Sequence, residues 1–219
     1  MTTRRTMPPT ASVAHAGEGA KMYAPSAERN AAAITEALCE IAPETGHALE
    51  IASGTGQHVA AFAAAMPGLI WQPTEIDALR RASIDAYAAE AGLSNLHAAM
   101  ALDATGAGWG EAQAGQGLIV LINLLHLIST PEARWIVAEA AQALGPGGRF
   151  ALYGPFLRDG QATSEGDARF HASLAAQDPA IGYKDLAEVE GWLREAGLTL
   201  HPVRPMPANN LFLVAERPG

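Results

Sequence analysis

A chain of 219 residues can bury one sizeable core, and a content of 49% hydrophobic and 17% charged residues is that of a globular protein, not a disordered one. A formal net charge of −9 would repel a phosphate backbone unless basic residues gathered on one face; the densest basic clusters are only Arg4-Arg5 and Arg80-Arg81. No nucleic-acid partner is therefore expected, and a small-molecule substrate is favoured.

The single cysteine, Cys39, cannot form an internal disulfide and has no partner at zinc-ligand spacing. It is expected to be a small hydrophobe on a helix, which suits a cytoplasmic address. Residues 1–19 have no apolar run of signal-peptide length, and the longest apolar stretch, 118–128, is interrupted by Asn123 and His126, so no membrane partner is expected. No acidic pair or His/Asp cluster has ligand spacing, so no metal is expected either.

In chain order, residues 1–20 read as a flexible tail and 21–219 as one domain. Ile34, Leu38 and Ile41 recur at helical spacing from Asn30 until Pro43 and Gly46 close the segment. Short apolar runs then alternate with amphipathic segments, as in βαβ units that cover a parallel sheet on both faces. Strands are predicted at 47–52, 69–75, 95–102, 118–122, 149–153, 198–204 and 211–216. The intervening helices include one with Val59, Phe62 and Met66 on one face and another over 79–91 that ends at Gly92. Ser129 or Thr130 caps a further helix, whose buried face is Trp135, Ile136 and Leu144, and residues 145–148 then force a turn. A helix with Leu186, Val189 and Leu193 ends at Gly197. The insert at 157–183 is long for a structureless loop, and a helix over 167–176 within it would help cover a pocket.

The chemistry concentrates in 48–58. Glu50 ends the first strand, and Gly54 and Gly56 in the following turn let a nucleotide-bearing ligand approach the backbone. Glu75 at the next strand end can accept both ribose hydroxyls, and Asp103 at the third can accept from an adenine amino group. A nicotinamide dehydrogenase fits less well, because Val59 stands where its third glycine is needed and Ala52 where its first is. A P-loop is excluded because no lysine follows the glycines.

The segment from Glu50 to Gly56, with Glu75 and Asp103, resembles the cofactor site of class I methyltransferases. Residues 23–30, 50–58, 71–77, 123–126, 153–156, 178–179 and 206–211 resemble the uncharacterised family that includes methyltransferase-like protein 26, also catalogued as domain of unknown function 938. The resemblance implies a Rossmann-like α/β fold, with a seven-stranded, mostly parallel sheet whose last strand is antiparallel, and S-adenosylmethionine as cofactor. It departs from the common pattern at Ala52, where a glycine is usual, and at Glu75, where aspartate is frequent.

The expected cofactor contacts are Glu50, Ala52, Ser53, Gly54, Gly56 and His58 at the first strand exit and Glu75 with Ile76 at the second. Asp103 with Ala104 follows at the third, Asn123 at the fourth, and Arg29 with Asn30 in an N-terminal lid over 21–45. On the acceptor side, His126 is a candidate general base and Tyr153 a candidate wall of the pocket; the competing role for each is core packing. Asn209 and Asn210 fit turn chemistry better than ligand binding. A methyl group moves from a sulfonium by in-line displacement, so alignment and desolvation can supply most of the rate and no base is obligatory. A small-molecule methyltransferase is the leading expectation; a protein side-chain methyltransferase and a non-catalytic cofactor-binding module are the alternatives.

Overall fold

The computed structural model describes residues 14–219. The first 13 residues of the expected tail, Arg4-Arg5 among them, lie outside the described residues. The rest of that tail is not featureless: β1 (His15–Ala16) and β2 (Met22–Tyr23) pair as an antiparallel hairpin. Helix α1 (Pro25–Ile41) begins five residues before the expected start, because Pro25 supplies a preset φ in the first turn, where its missing N–H costs nothing. Its buried face is Ile34, Ala37 and Leu38. Cys39 lies on this helix, as expected, and is exposed there, because a 3.6-residue period turns it about 100° away from Leu38.

The chain continues through β3 (Gly46–Ile51), α2 (Gln57–Ala65), β4 (Leu69–Pro73) and α3 (Ala78–Ala91). A short α4 (Trp109–Ala112) precedes β5 (Gln116–Ile122) and a 3-10 turn over Leu125–Leu127. Helix α5 (Thr130–Ala143) opens on a capping box in which Ser129 and Glu132 satisfy each other's backbone N–H groups. Next come β6 (Leu144–Gly154), α6 (Glu165–Gln177) in the insert and α7 (Leu186–Glu195). The short strands β7 (Thr199–Leu200) and β8 (Arg204–Pro205) lead to β9 (Leu211–Glu216).

The main sheet has seven strands in the order β4-β3-β5-β6-β9-β7, with β8 also pairing β9. Pairs among β3 to β6 are parallel, and β9 runs antiparallel to β6, as the resemblance implied. Three expectations need correction. Residues 95–102 form no full strand and pair only as isolated bridges, Leu96 with Trp71 of β4 and Met100 with Thr74 just beyond it. The strand expected over 198–204 is divided into β7 and β8. Residues 145–148 lie within β6, where they stand opposite Gly117 alone and loop out of register through Gly147 at φ 71°, so the expected turn interrupts the strand's pairing and does not precede the strand.

Strand alternation splits the core between the two faces of the sheet. Leu49, Ile51, Ile119, Leu121, Phe150 and Leu152 pack with α5 and α7. Ala48, Leu118, Val120, Ala151 and Tyr153 pack with α1, α2 and α3. Side chains such as Phe62 and Leu49, both fully buried, contribute about 1.5–3 kcal/mol each. Trp135, expected inside, is 43% exposed on α5, with its indole donating to Gly106 O at 2.8 Å. Among the described residues, no helix is long and apolar enough to cross a membrane.

Candidate functional site

The C-terminal ends of β3 and β4 are tied together before any ligand is considered. Thr74 donates to Glu50 O through N (3.0 Å) and Oγ1 (2.8 Å), while Ser53 N donates to Thr74 O at 2.8 Å. The turn between β3 and α2 is built from left-handed residues, with φ of 54° at Ala52, 59° at Gly54 and 94° at Gly56. The two glycines do different work. A Cβ on Gly56 would lie 2.7 Å from Ile84 Cα, so this glycine lets α2 approach α3, whereas a Cβ on Gly54 would meet only Arg80 Nη1 at 3.9 Å. Gly54 is thus the residue whose bare backbone keeps the turn open.

Glu75 lies across that turn. Its Oε2 accepts from Gly54 N at 3.1 Å, and its Oε1 accepts from Ile76 N at 2.8 Å and Asp77 N at 3.1 Å. These donors orient the carboxylate and leave lone pairs for a ligand. Glu50 is 2% exposed and its Oε2 has no hydrogen-bond partner. Burial pushes its carboxyl up to about 7; a Ser53 hydrogen bond opposes this and the nearby Glu75 adds to it. Glu75 N donates to Met100 O at 3.0 Å, which draws the following loop toward β4. There Asp103 is exposed, and its Oδ1 accepts from Thr105 N and Oγ1. Ala104 is buried, and its carbonyl accepts from the Trp109 indole. Asn123, at φ 55°, leaves β5 with its N–H bonded to Tyr153 O at 2.8 Å.

The N-terminal segment is strapped to the same turn. Ala24 N donates to Gln57 Oε1 and Met22 N to Ser83 Oγ, both at 2.7 Å, and Ser83 Oγ donates in turn to Thr55 O at 2.7 Å. Neither Gln57 nor Ser83 was expected at the site. The one local signal for Ser83 is a polar residue beside Ile84, on the buried side of an amphipathic helix. Arg29 is exposed, while Tyr23 and Glu28 bond each other. Asn30 Oδ1 lies 2.7 Å from His58 Nε2, and His58 stacks on Phe62. Burial lowers the His58 pKa to about 4, so the ring is neutral near pH 7.

The two acceptor-side candidates are not brought together. His126 is buried edge-on against Phe170 and Tyr183, beside the insert residues Leu174 and Ile181. Burial, with a smaller contribution from Lys184, lowers its pKa to about 3, an environment that suits packing and not proton uptake near neutral pH. Tyr153 instead sits on the α1–α2 side, and burial, opposed by the nearby Asn30 and Asn210 side chains, raises its phenol pKa. A cavity of about 620 Å³ lies away from the glycine turn, between the insert and the first turns of α5 and α7, where its lining includes Thr130, His171, Lys184 and Asp185. Lys184 there pins the insert through bonds to Ile128 O at 2.8 Å and Gly182 O at 2.9 Å.

A parallel sheet with an antiparallel β9, and a glycine turn flanked by acids at successive strand ends, defines the class I methyltransferase fold. Solved structures share it. The chain is similar to an O-methyltransferase family protein from Burkholderia thailandensis, with TM-score 0.77 and 18% identity over 89% of this chain and 58% of that one. It is also similar to an O-methyltransferase family 2 protein from Planctomyces limnophilus in complex with apigenin (TM-score 0.69, 20% identity, 85% and 61% covered). Human N-acetylserotonin methyltransferase in complex with S-adenosylmethionine matches with TM-score 0.69 and 12% identity, over 89% and 53%. Within that fold the chain belongs to the family described as protein of unknown function (DUF938), whose model matches residues 21–217. It spans little more than half the length of these solved proteins, with 53–61% of each covered.

Proposed function

We propose that the protein is an S-adenosylmethionine-dependent methyltransferase that acts on a small molecule in the cytoplasm. The observation that carries this reading is the buried, unpartnered Oε2 of Glu50 beside a turn kept open at Gly54 and faced by Glu75. A buried carboxylate oxygen without a donor suits a cation, here the ammonium of the methionine moiety. Glu75, already oriented by three backbone donors, would take the ribose hydroxyls, and Asp103 the adenine amino group. Ala52, Ser53, Ile76, Ala104 and Asn123 would supply backbone around the ligand. Arg29 and Asn30 would close the N-terminal side, where Met22 and Ala24 are already bonded to Ser83 and Gln57.

When bound, the cofactor supplies a methyl group already activated by its sulfonium charge. The protein's task is to align an acceptor and keep water out, and residues 157–183 would provide that cover. The complexes of the Planctomyces and human relatives, with apigenin and with S-adenosylmethionine, support a small acceptor and this cofactor.

Calorimetry with S-adenosylmethionine and S-adenosylhomocysteine tests the first half: both are expected to bind, and Glu75→Ala to weaken them at least tenfold. No heat of binding at millimolar ligand refutes the proposal. Labelled cofactor incubated separately with metabolite pools and with protein lysate tests the second half, with label expected in the metabolites.

A further inference from the structure

The cavity of about 620 Å³ opens at the carboxyl edge of the sheet, since Leu157 and Asp159 follow β6 and Thr130 follows its parallel neighbour β5. Ligands of open α/β sheets sit at that edge. Two side chains in its lining are hydrogen-bond donors fixed by backbone contacts. Lys184 is 5% exposed; two hydrogens of its ammonium go to Ile128 O at 2.8 Å and Gly182 O at 2.9 Å, which leaves the third to give. Burial lowers its pKa to about 8, against the charges of Glu132 and Glu188, so Lys184 stays charged near pH 7. His171 Nδ1 accepts from Tyr183 N at 3.0 Å, and a nitrogen that accepts holds no proton, so the ring hydrogen sits on Nε2. The ring fits there because residue 182 is glycine: at φ 138°, a Cβ would lie 2.9 Å from both Nδ1 and Cε1 of His171. The acids of the lining are not equivalent. Asp185 is already engaged, its Oδ2 accepting from Gly160 N at 2.7 Å and its Oδ1 from Ala187 N at 2.9 Å. Asp159 and Glu188 are exposed and stand at the mouth.

We propose that this cavity binds a zwitterion, an α-amino acid with an apolar side chain, whose carboxylate meets Lys184 and His171 and whose ammonium meets Asp159 and Glu188. Charge selects against simpler ligands. A bare anion must pass two carboxylates, and a bare amine meets the buried ammonium of Lys184; only a ligand that carries both signs, in that order from the floor outward, pairs with each. Leu157, Pro179 and Ile181 supply an apolar wall for the side chain, and the volume is that of a small-molecule pocket. The site does not rest on the methyltransferase reading. It is nevertheless tied to the loop that leaves β5, because Lys184 Nζ donates to Ile128 O and Gly182 N donates to His126 O at 3.0 Å.

The test is calorimetry on the full chain, without cofactor, using L-phenylalanine, L-leucine and two analogues of phenylalanine that keep a single charge, phenylpropanoate and phenylethylamine. Both amino acids are expected to bind saturably, and each analogue about tenfold more weakly than L-phenylalanine, the scale of one hydrogen bond to a charged group. Lys184→Met and His171→Phe should each weaken L-phenylalanine by about the same factor. Both residues also brace the insert, so the deciding variant is the exposed pair, Asp159→Asn with Glu188→Gln. It should weaken L-phenylalanine about tenfold yet tighten phenylpropanoate, a reversal that structural damage would not produce. No heat with either amino acid at millimolar concentration, equal binding of all four probes, or a double variant that moves both ligands in the same direction overturns the inference.

Discussion

Three glycines share a left-handed backbone yet differ in what an added methyl group would meet, so alanine at each separates strain from crowding and from ligand approach. At Gly92, φ is 61° and nothing lies within 4 Å, so Gly92→Ala should cost only the left-handed penalty, about 1–2 kcal/mol. At Gly56, the same penalty applies and the new Cβ would lie 2.7 Å from Ile84 Cα, 3.1 Å from Cγ1 and 3.3 Å from Cβ. A backbone atom cannot rotate away, so α2 and α3 must separate at an overpacking cost of about 1–3 kcal/mol more. The total for Gly56→Ala is about 2–5 kcal/mol, a fall in Tm of roughly 4–20 °C for a chain of this size. At Gly54, the nearest atom is Arg80 Nη1 at 3.9 Å, so Gly54→Ala should melt like Gly92→Ala yet bind S-adenosylhomocysteine at least tenfold more weakly. Thermal melts and calorimetry on the three variants decide the matter. If Gly56→Ala melts with Gly92→Ala, the α2–α3 contact is not tight. If Gly54→Ala binds as the parent does, the open face of the turn is not where the ligand lies.

Glu50 predicts a pH effect of definite sign. Burial raises its folded pKa from 4.5 to about 7, so the folded state holds the proton more tightly, and stability present below pH 4.5 is lost as pH rises through 7. The loss is about 3 kcal/mol, and Glu50→Gln should flatten the Tm profile between pH 5 and 8 while weakening S-adenosylmethionine; an unchanged profile refutes it. Glu139, buried on α5, accepts from Gly108 N at 3.0 Å and Gly110 N at 2.6 Å. Glu139→Leu strands two donors and should cost about 2–5 kcal/mol in urea unfolding, and Glu139→Gln distinctly less. For His126, whose pKa of about 3 keeps it neutral, His126→Gln should leave the pH profile of turnover unmoved; a lost acidic limb would restore it as general base.

The order of elements was legible because it rests on local signals: apolar runs for the central strands, Ser129 and Gly92 at helix ends, and the period of Ile34 and Leu38. The failures share one cause, which is that the deciding partner is remote in sequence. Residues 95–102 look like a strand, but Asn95 spends its amide on the carbonyls of Ala63, Met66 and Leu69, pinning a loop at the sheet edge. Trp135 looks like core until Gly106, 29 residues away, takes its indole proton at the surface. The hairpin of β1 and β2 is two residues to a strand and is held by Ser83 and Tyr87 on α3, a tie that no pattern within 15–23 reveals.

The site divides in the same way. Gly54, Glu75 and Glu50 were legible because backbone continuity through a strand-turn-helix unit fixes where they point. His126 and Tyr153 were ambiguous because one follows β5 and the other lies near the end of its parallel neighbour β6, and only the packing of the insert around one and of α1 around the other separates them. The turn before β9 shows what a sequence of two asparagines conceals. Asn209, at φ 59°, turns its amide outward to Asp167 on α6 at 3.0 Å, while Arg158 reaches its carbonyl. Its neighbour Asn210 folds back onto Pro207 O at 3.1 Å. The left-handed residue lets adjacent amides take different partners, one holding the insert and the other closing the turn. A substitution that straightens the turn and removes that amide, such as Asn209→Val, should loosen α6, seen as faster hydrogen exchange over 165–177; unchanged exchange there would refute the tie.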